Sequence, residues 1–432
     1  MTQPASRPLR LAYLMSRFPK ATETFILYEI LELERLGHRV EIFPLVLHRE
    51  TMVQPGASEL VDRAHDVRLL SREVLGAQLH WLRRRPRQYL GAWAAAIRGN
   101  IRSPRFLLRA FVAVPLGATF ARRMESLRID HIHAHWATHP ALAAYVAAKL
   151  TGLPYSFTAH AHDIYVNRAM LDEKIRAARF VVTISEQNRR LFEGWYGHSA
   201  AAKVAVIHCG ADPAVFAPNA VEPGNARPVG GSANAPVRIV CVASLQPQKG
   251  QRFLIDACRL LVDRGLAIRC QLVGEGDERP ALAARIHELG LEDVVELLGS
   301  QPRDRVAELL GQAHVVVQPS VVLRSGKTEG IPVALMEALA AERAVVASRL
   351  SGIPELVADE ETGLLVEPGD PIALADAIER LAADPDLRSR LGRAGRERVL
   401  AEFDLRLNTA KLADRFRESI VSPVGSAPDA TT

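Results

Sequence analysis

Two glutamates, Glu329 and Glu337, stand eight residues apart in Thr328-Glu329-Gly330-Ile331-Pro332-Val333-Ala334-Leu335-Met336-Glu337, and a Gly-Ile-Pro turn opens the apolar run between them. Residues 333–340 read as a helix, and Pro332 suits its first turn, where a missing N–H removes no bond. The amides beside Gly330 and Ile331 then lie at the positive end of that helix and form an anion site. If the segment is helical throughout, the step from Glu329 to Glu337 rises about 12 Å and leaves both carboxylates within about 80° of each other. One face then offers an acceptor, an anion site and a second acceptor, which suits an extended sugar–diphosphate–nucleoside. The same spacing also fits two solvated acids flanking a helix start. Context favours a site: the pair follows an apolar strand at 315–317, and open α/β sheets bind ligands at the carboxyl ends of strands.

Three further groups of residues have chemical potential. His131, His133 and His135 alternate, so a strand places them on one face. His160, His162 and Asp163 come just past the apolar strand 155–158. So many imidazoles raise the question of zinc, although a histidine at a strand end is as readily a surface loop residue. Lys249-Gly250 follows the strand 238–243 and opens a helix, a pattern that a solvated lysine also satisfies. Gly274-Glu275-Gly276 is a turn that allows close backbone approach. It is not a dinucleotide fingerprint, since position 279 is Arg, and the chain has no Walker A sequence. Both absences count against a nicotinamide enzyme and an ATPase.

The elements around these residues alternate between strand and helix. Strands are expected at 9–15, 39–44, 67–70, 131–136, 155–158, 180–184 and 204–207, with helices at 23–36, 140–150 and after Ser185. Residues 213–236 hold five Pro and three Gly, the composition of a linker. A second series follows, with strands at 238–243, 268–273, 294–298, 315–317, 345–347 and 364–366. Its helices are expected at 251–264, 278–289, 333–340, 370–383, 387–402 and 405–420. Repeated βα units argue for parallel sheets.

The chain has 432 residues, 48% of them hydrophobic and 24% charged, which fits a two-domain globular protein. No secretory signal precedes the first strand, and no apolar run approaches the ~18 residues of a membrane span. Four cysteines without C-x-x-C spacing read as reduced thiols. The net charge of +5 is uneven: residues 83–128 hold eleven Arg and one acid, Glu125, interleaved with aromatic and aliphatic side chains. This basic helical insertion, at about 71–128, reads either as an interfacial segment for an anionic membrane surface or as a solvated face. No nucleic-acid motif accompanies it, so nucleic acid is not an expected partner.

The glutamate pair resembles the E-x7-E motif of retaining family 4 glycosyltransferases. Ser16-Arg17-Phe18-Pro19-Lys20 with Glu23-Thr24-Phe25-Ile26, and Phe157-Thr158-Ala159-His160-Ala161-His162-Asp163, resemble signatures of the exopolysaccharide and colanic-acid-type subgroup. The resemblance runs from about residue 8 to about residue 400. It implies the α/β GT-B fold, two facing Rossmann-like domains with a deep inter-domain cleft. The acceptor domain is then 1–212, the linker 213–236 and the nucleotide-sugar donor domain 237–402. A helix at 403–420 returns to the first domain, and 421–432 is a tail.

The implied reaction moves a hexose from a UDP- or GDP-linked donor to a hydroxyl of an oligosaccharide or lipid-linked acceptor, in exopolysaccharide or cell-surface glycan synthesis. No metal and no cofactor are implied, and the expected place is the cytoplasm or the inner-membrane surface. The catalytic residues are then His160, Glu329 and Lys249. Glu337, as an ionised acceptor for the ribose hydroxyls, joins Gly330, Ile331, Pro332, Ser244, Gly274 and Lys327 on the donor. Arg17, Lys20, His135, His162 and Asp163 are acceptor-side candidates. The family loop reads R-x4-KG, and Ser244 stands where its Arg belongs, leaving Arg324 or Lys327 to supply a second cation. A nucleotide-sugar 2-epimerase shares the architecture, and a non-catalytic assembly subunit would tolerate Ser244.

Overall fold

The computed structural model describes residues 7–20, 23–47, 56–166, 168–218 and 236–421, the side chain of His162 excepted. Residues 422–432 of the expected tail and 219–235 of the expected linker lie outside them, while Val421 ends the last helix.

Both halves are parallel α/β sheets. The first comprises β1 (Arg10–Phe18), β2 (Arg39–Leu47), β3 (His131–His135), β4 (Tyr155–Ala159), β5 (Phe180–Thr183) and β6 (Val204–Val206), in the order β2-β1-β3-β4-β5-β6. The second comprises β7 (Val237–Val242), β8 (Ile268–Val273), β9 (Val295–Gly299), β10 (Val315–Gln318), β11 (Ala344–Ser348) and β12 (Leu364–Val366), in the order β12-β11-β10-β7-β8-β9. Strands covered by helices on both faces are apolar on both sides, and β10 shows this directly. Val315 and Val317 enter a core with Leu254, Ile255 and Leu261, while Val316 enters another with Leu335, Met336 and Leu339. Helix Gln251–Asp263 buries Leu254, Cys258 and Leu261, a stripe at i, i+4 and i+7.

Contacts divide the chain into two units. One runs to Ile184 and includes Asn188–Ile207 and the residues from Thr409; the other comprises Ser185–Gln187 and His208–Asn408. Within the first unit the end of helix Leu405–Val421 sets Leu412 and Phe416 among Tyr13, Phe180 and Val182. The Ser419 hydroxyl meets His131 Nδ1 at 2.8 Å.

Several expected elements differ. Residues 67–70 form no strand: Val67 is buried and Leu69 packs against the same core, but the segment pairs with no strand of the sheet, and Leu70 stands in water. Helix Arg303–Gln312 was not expected; it opens with Arg303-Asp304-Arg305 and buries only Leu309, Leu310 and Gly311. Residues 213–218 of the expected linker are packed, with Phe216 fully buried in the second unit.

The basic insertion forms three helices, Arg72–Arg84, Pro86–Asn100 and Pro104–Leu127. Contrary to the sequence expectation, Pro104–Leu127 is long and apolar enough to cross a membrane. It is a core helix on one side: Gly117 lies so close to helix His139–Thr151 that a Cβ there would come within 2.7 Å of the Ala143 carbonyl oxygen. Trp81 and Tyr89 also turn inward, and the Trp81 indole N–H donates to the Ala118 carbonyl at 2.7 Å. Trp81→Ala therefore opens a large cavity and removes the indole bond to the Ala118 carbonyl. It is expected to lower unfolding free energy by about 3–5 kcal/mol, read as a shifted denaturant midpoint. An unchanged midpoint would show that the insertion is not integral to the first core.

Candidate active site

In the second unit, strand order reverses between β7 and β10. Connections diverge there, and open parallel sheets bind ligands at such a switch point. The loops leaving the two strands are pressed together. Gly250 has φ +68°, and a Cβ on it would lie 1.9 Å from the Pro319 carbonyl oxygen. Gly274 likewise meets Ala243, where a Cβ would stand 2.1 Å from the carbonyl oxygen. The close approach brings together two residues eighty positions apart in sequence, as the Lys249 ammonium pairs with the Glu329 carboxylate, both largely buried. Beside them Lys327 Nζ donates to Gln246 Oε1 at 3.2 Å. The backbone carbonyl of Ser244 accepts from Gln251 Nε2 at 3.0 Å.

The segment between the glutamates is not helical throughout. Helix Val333–Ala340 begins after Pro332, which is its extended cap at φ −65° and ψ 126°. Pro332 disfavours helical backbone at Ile331, so the 12 Å helical step does not apply. The amides of the first turn are those of Val333 and Ala334; Gly330 and Ile331 lie before the cap, both buried. Glu337 stands in the helix itself. Burial pushes its carboxyl up to about 7, against the pull of the Arg303 guanidinium. The expected ionised acceptor is therefore substantially protonated at neutral pH in the free protein. Arg303 was missed because its helix was missed; it also packs over Phe216 at 5.4 Å.

The first unit reverses between β1 and β3. His135 ends β3 and His160 follows β4, with stacked rings 5.6 Å apart and His135 Nδ1 3.3 Å from His160 Nε2. Phe25 and Trp136 close on the His160 ring, at 4.9 and 4.4 Å between centroids. Asp163 is not an open acceptor-side carboxylate. It accepts the backbone N–H groups of Ala137 at 2.8 Å, His160 at 3.1 Å and Ala161 at 2.9 Å, tying the loops after β3 and β4 together. The buried Lys174 ammonium holds the Ala137 carbonyl, and burial lowers its pKa to about 7.

Arg17 and Lys20 are exposed, and Lys20 pairs with Glu23 at 2.5 Å. His162 begins the short helix His162–Tyr165, and its side chain lies outside the described residues. His131 and His133 are buried and neutral; burial lowers His131 to about 3 and His133 well below its usual range. Glu29, His133 and His135 are near enough to share one ion. Both nitrogens of His133 are instead engaged by the Ser156 and Thr158 hydroxyls at 2.8 and 2.9 Å, which speaks against that use.

Glu29 is the residue the sequence reading passed over. It lies three positions after Ile26 and four before Leu33, on the stripe that helix Thr24–Arg35 buries, and a carboxylate on an apolar stripe is a detectable signal.

Fold and site together define a class. Residues 225–398 match the family Glycosyl transferases group 1, and residues 50–215 match Glycosyltransferase Family 4. The chain is 31% identical over 425 residues to a protein of Escherichia coli (strain K12) that carries the name colanic acid biosynthesis glycosyltransferase WcaL, covering 94% of this chain and 98% of that one. It belongs to the family 4 glycosyltransferases and has their GT-B fold. Among solved structures it is similar to a glycosyltransferase from Rickettsia africae, with TM-score 0.71, 19% identity and coverage of 97% and 100%. It is also similar to Anabaena HepE in complex with UDP and glucose, with TM-score 0.69, 18% identity and coverage of 95% and 100%.

The Glu337 carboxyl sets a pH dependence. If it accepts ribose hydroxyls, binding favours the ionised form, and below about pH 7 the free protein must first release a proton. Nucleotide affinity is then expected to fall by up to about tenfold per pH unit below about pH 7 and to level off above it. Glu337→Gln should flatten the profile. Titration calorimetry across that range checks this; a wild-type affinity independent of pH would remove Glu337 from the ribose site.

Proposed function

We propose that this glycosyltransferase is a retaining hexosyltransferase of exopolysaccharide or cell-surface glycan assembly, transferring from a nucleotide diphosphate sugar to a lipid-linked saccharide hydroxyl. The observation that carries this reading is the Lys249–Glu329 pair at the β7/β10 switch point. Lys249, with the first-turn amides of Val333 and Ala334, neutralises the diphosphate as it leaves. Electrostatic stabilisation of that developing charge is the main catalytic contribution. Glu329 accepts hydroxyls of the sugar, Glu337 those of the ribose, and His160 meets the sugar near its reacting carbon. The acceptor enters on the face from which the diphosphate departs, and a phosphate oxygen takes its proton. Lys327, two residues before Glu329 and bonded to Gln246, stands near the position where the family's Arg is replaced by Ser244. The full-length likeness to WcaL supports the exopolysaccharide assignment, and the UDP held by HepE supports a UDP-linked donor.

A panel of UDP- and GDP-hexoses, screened by thermal stabilisation and then by nucleotide release with a polyprenyl-diphosphate-linked sugar, tests the reading. Lys249→Ala is expected to cut turnover about a hundredfold or more, and Lys327→Ala far less. Equal small losses would place the diphosphate elsewhere. Interconverted donor sugar without any acceptor would favour a 2-epimerase.

We also infer that the insertion seats the protein on an anionic bilayer. Ten of the seventeen large apolar side chains exposed among the described residues lie between Leu70 and Val112, among them Leu79, Leu90, Leu108 and Phe111. Exposed arginines, including Arg83, Arg87, Arg98, Arg105 and Arg109, interleave with them. Each Arg near the surface contributes about 1 kcal/mol, over a reach of about 8 Å at physiological salt. Co-sedimentation with phosphatidylglycerol vesicles, falling as salt rises and absent with phosphatidylcholine, is the expected result. Equal recovery in every supernatant would mean that these arginines only face water.

A further inference from the structure

Behind His160 runs a chain of hydrogen bonds that none of the roles above uses. Glu29 Oε1 accepts twice, from the Tyr13 hydroxyl at 2.8 Å and from His135 Nε2 at 3.0 Å. His135 in turn faces His160 Nε2 through its Nδ1, at 3.3 Å. Tyr13 is fully buried, and burial with the Glu29 carboxylate beside it raises its pKa well above the usual phenol range, so it only donates here. A carboxylate has acceptors and no donor, so the hydrogen of a neutral His135 is on Nε2. Its Nδ1 is then a lone pair, and the hydrogen between the two rings belongs to His160 Nε2. The direction of each bond follows from the one before, starting at Glu29. The second hydrogen-bond partner of an imidazole sets its tautomer and orientation.

We propose that Glu29 is a positioning residue for sugar transfer, fixing the tautomer and ring orientation of His160 through His135. The proposal rests on the role given to His160 above. Phe25 and Trp136 pack against the His160 ring, Asp163 holds its backbone N–H, and Asn188 donates to its carbonyl at 2.5 Å. Those contacts fix where the ring stands; among the described bonds, the one to His135 sets which nitrogen carries the hydrogen.

The test uses the full chain labelled with 15N-histidine. Long-range 1H–15N spectra near about pH 8, where imidazoles are neutral, should show wild-type His160 protonated on Nε2. Glu29→Ala should give a mixture of tautomers. With the hexose donor selected from the panel above, Glu29→Ala should lower kcat roughly ten- to a hundredfold, the scale on which orienting partners of a working imidazole act. The donor KM should stay within about twofold, because the diphosphate and ribose contacts proposed for Lys249 and Glu337 are untouched by the substitution. Glu29→Gln, whose amide oxygen can accept the same two bonds, should regain most of kcat. A His160 hydrogen on Nδ1 in the wild type, a tautomer unmoved in Glu29→Ala, or an unmoved kcat would each overturn the proposal. His160→Ala distinguishes the two levels: if it retains full kcat, the role of His160 itself fails, whatever the spectra show of the chain behind it.

Discussion

A parallel strand can follow another only through a crossover, and crossovers keep one hand. When the strand order reverses, successive helices must therefore cover opposite faces of the sheet, and the loops at the reversal part. The second unit obeys this rule visibly. Helices Gln251–Asp263 and Pro371–Ala383 share a core with Val315 and Val317, whereas helix Val333–Ala340 lies on the other face with Val316. Lys249 and Glu329 leave the sheet on either side of that reversal, and Glu29 and His135 lie at the corresponding place in the first unit. The chemistry is placed by topology before any side chain is chosen.

Glycine then determines how close the parted loops come. The approach of Gly250 to the Pro319 carbonyl leaves no room for a Cβ, and its positive φ disfavours other residues. At that separation an ammonium and a carboxylate meet with most of their surfaces out of water. Removing either would leave the other desolvated and unpaired, a heavier cost than the pair itself. In the donor site proposed above, a diphosphate on Lys249 would supply two charges in place of one and leave Glu329 to accept neutral sugar hydroxyls. The pair thus keeps both groups compensated in the free protein.

Much of this was legible in sequence, for identifiable reasons. A strand buried on both faces writes itself as an apolar run, so the expected strand 364–366 coincides with β12, while 268–273 coincides with β8 although Arg269 is exposed. Glu329, Glu337 and Lys249 stood out by the E-x7-E and Lys-Gly patterns, and Lys249 and Glu329 do meet in one ion pair. The geometry between the glutamates was not legible, because a helical reading of 329–337 ignores what Pro332 does to Ile331. Helix Arg303–Gln312 escaped because its buried contribution is small and late, and Arg303 was lost with it. The protonation of Glu337 depends on burial by residues distant in sequence, which no local pattern reports. Trp81 and Tyr89 of the basic insertion turn inward instead, joining Leu14, Phe43 and Phe157 in the core of the first sheet.

The histidines of β3 show how far a sequence pattern reaches and where tertiary structure takes over. Alternation put His131, His133 and His135 on one face, and all three are buried there. A buried imidazole is tolerable when neutral and hydrogen-bonded. The first two meet this condition with hydroxyls: His131 with Ser156 and Ser419, and His133 with Ser156 and Thr158. Only His135, at the carboxyl end of the strand, has a carboxylate on one side and another imidazole on the other. Three identical side chains in one repeat thus divide into two structural residues and one connected to the site. What divides them is how near each stands to the end of the strand, where the sheet stops and the loops that can carry ligands begin.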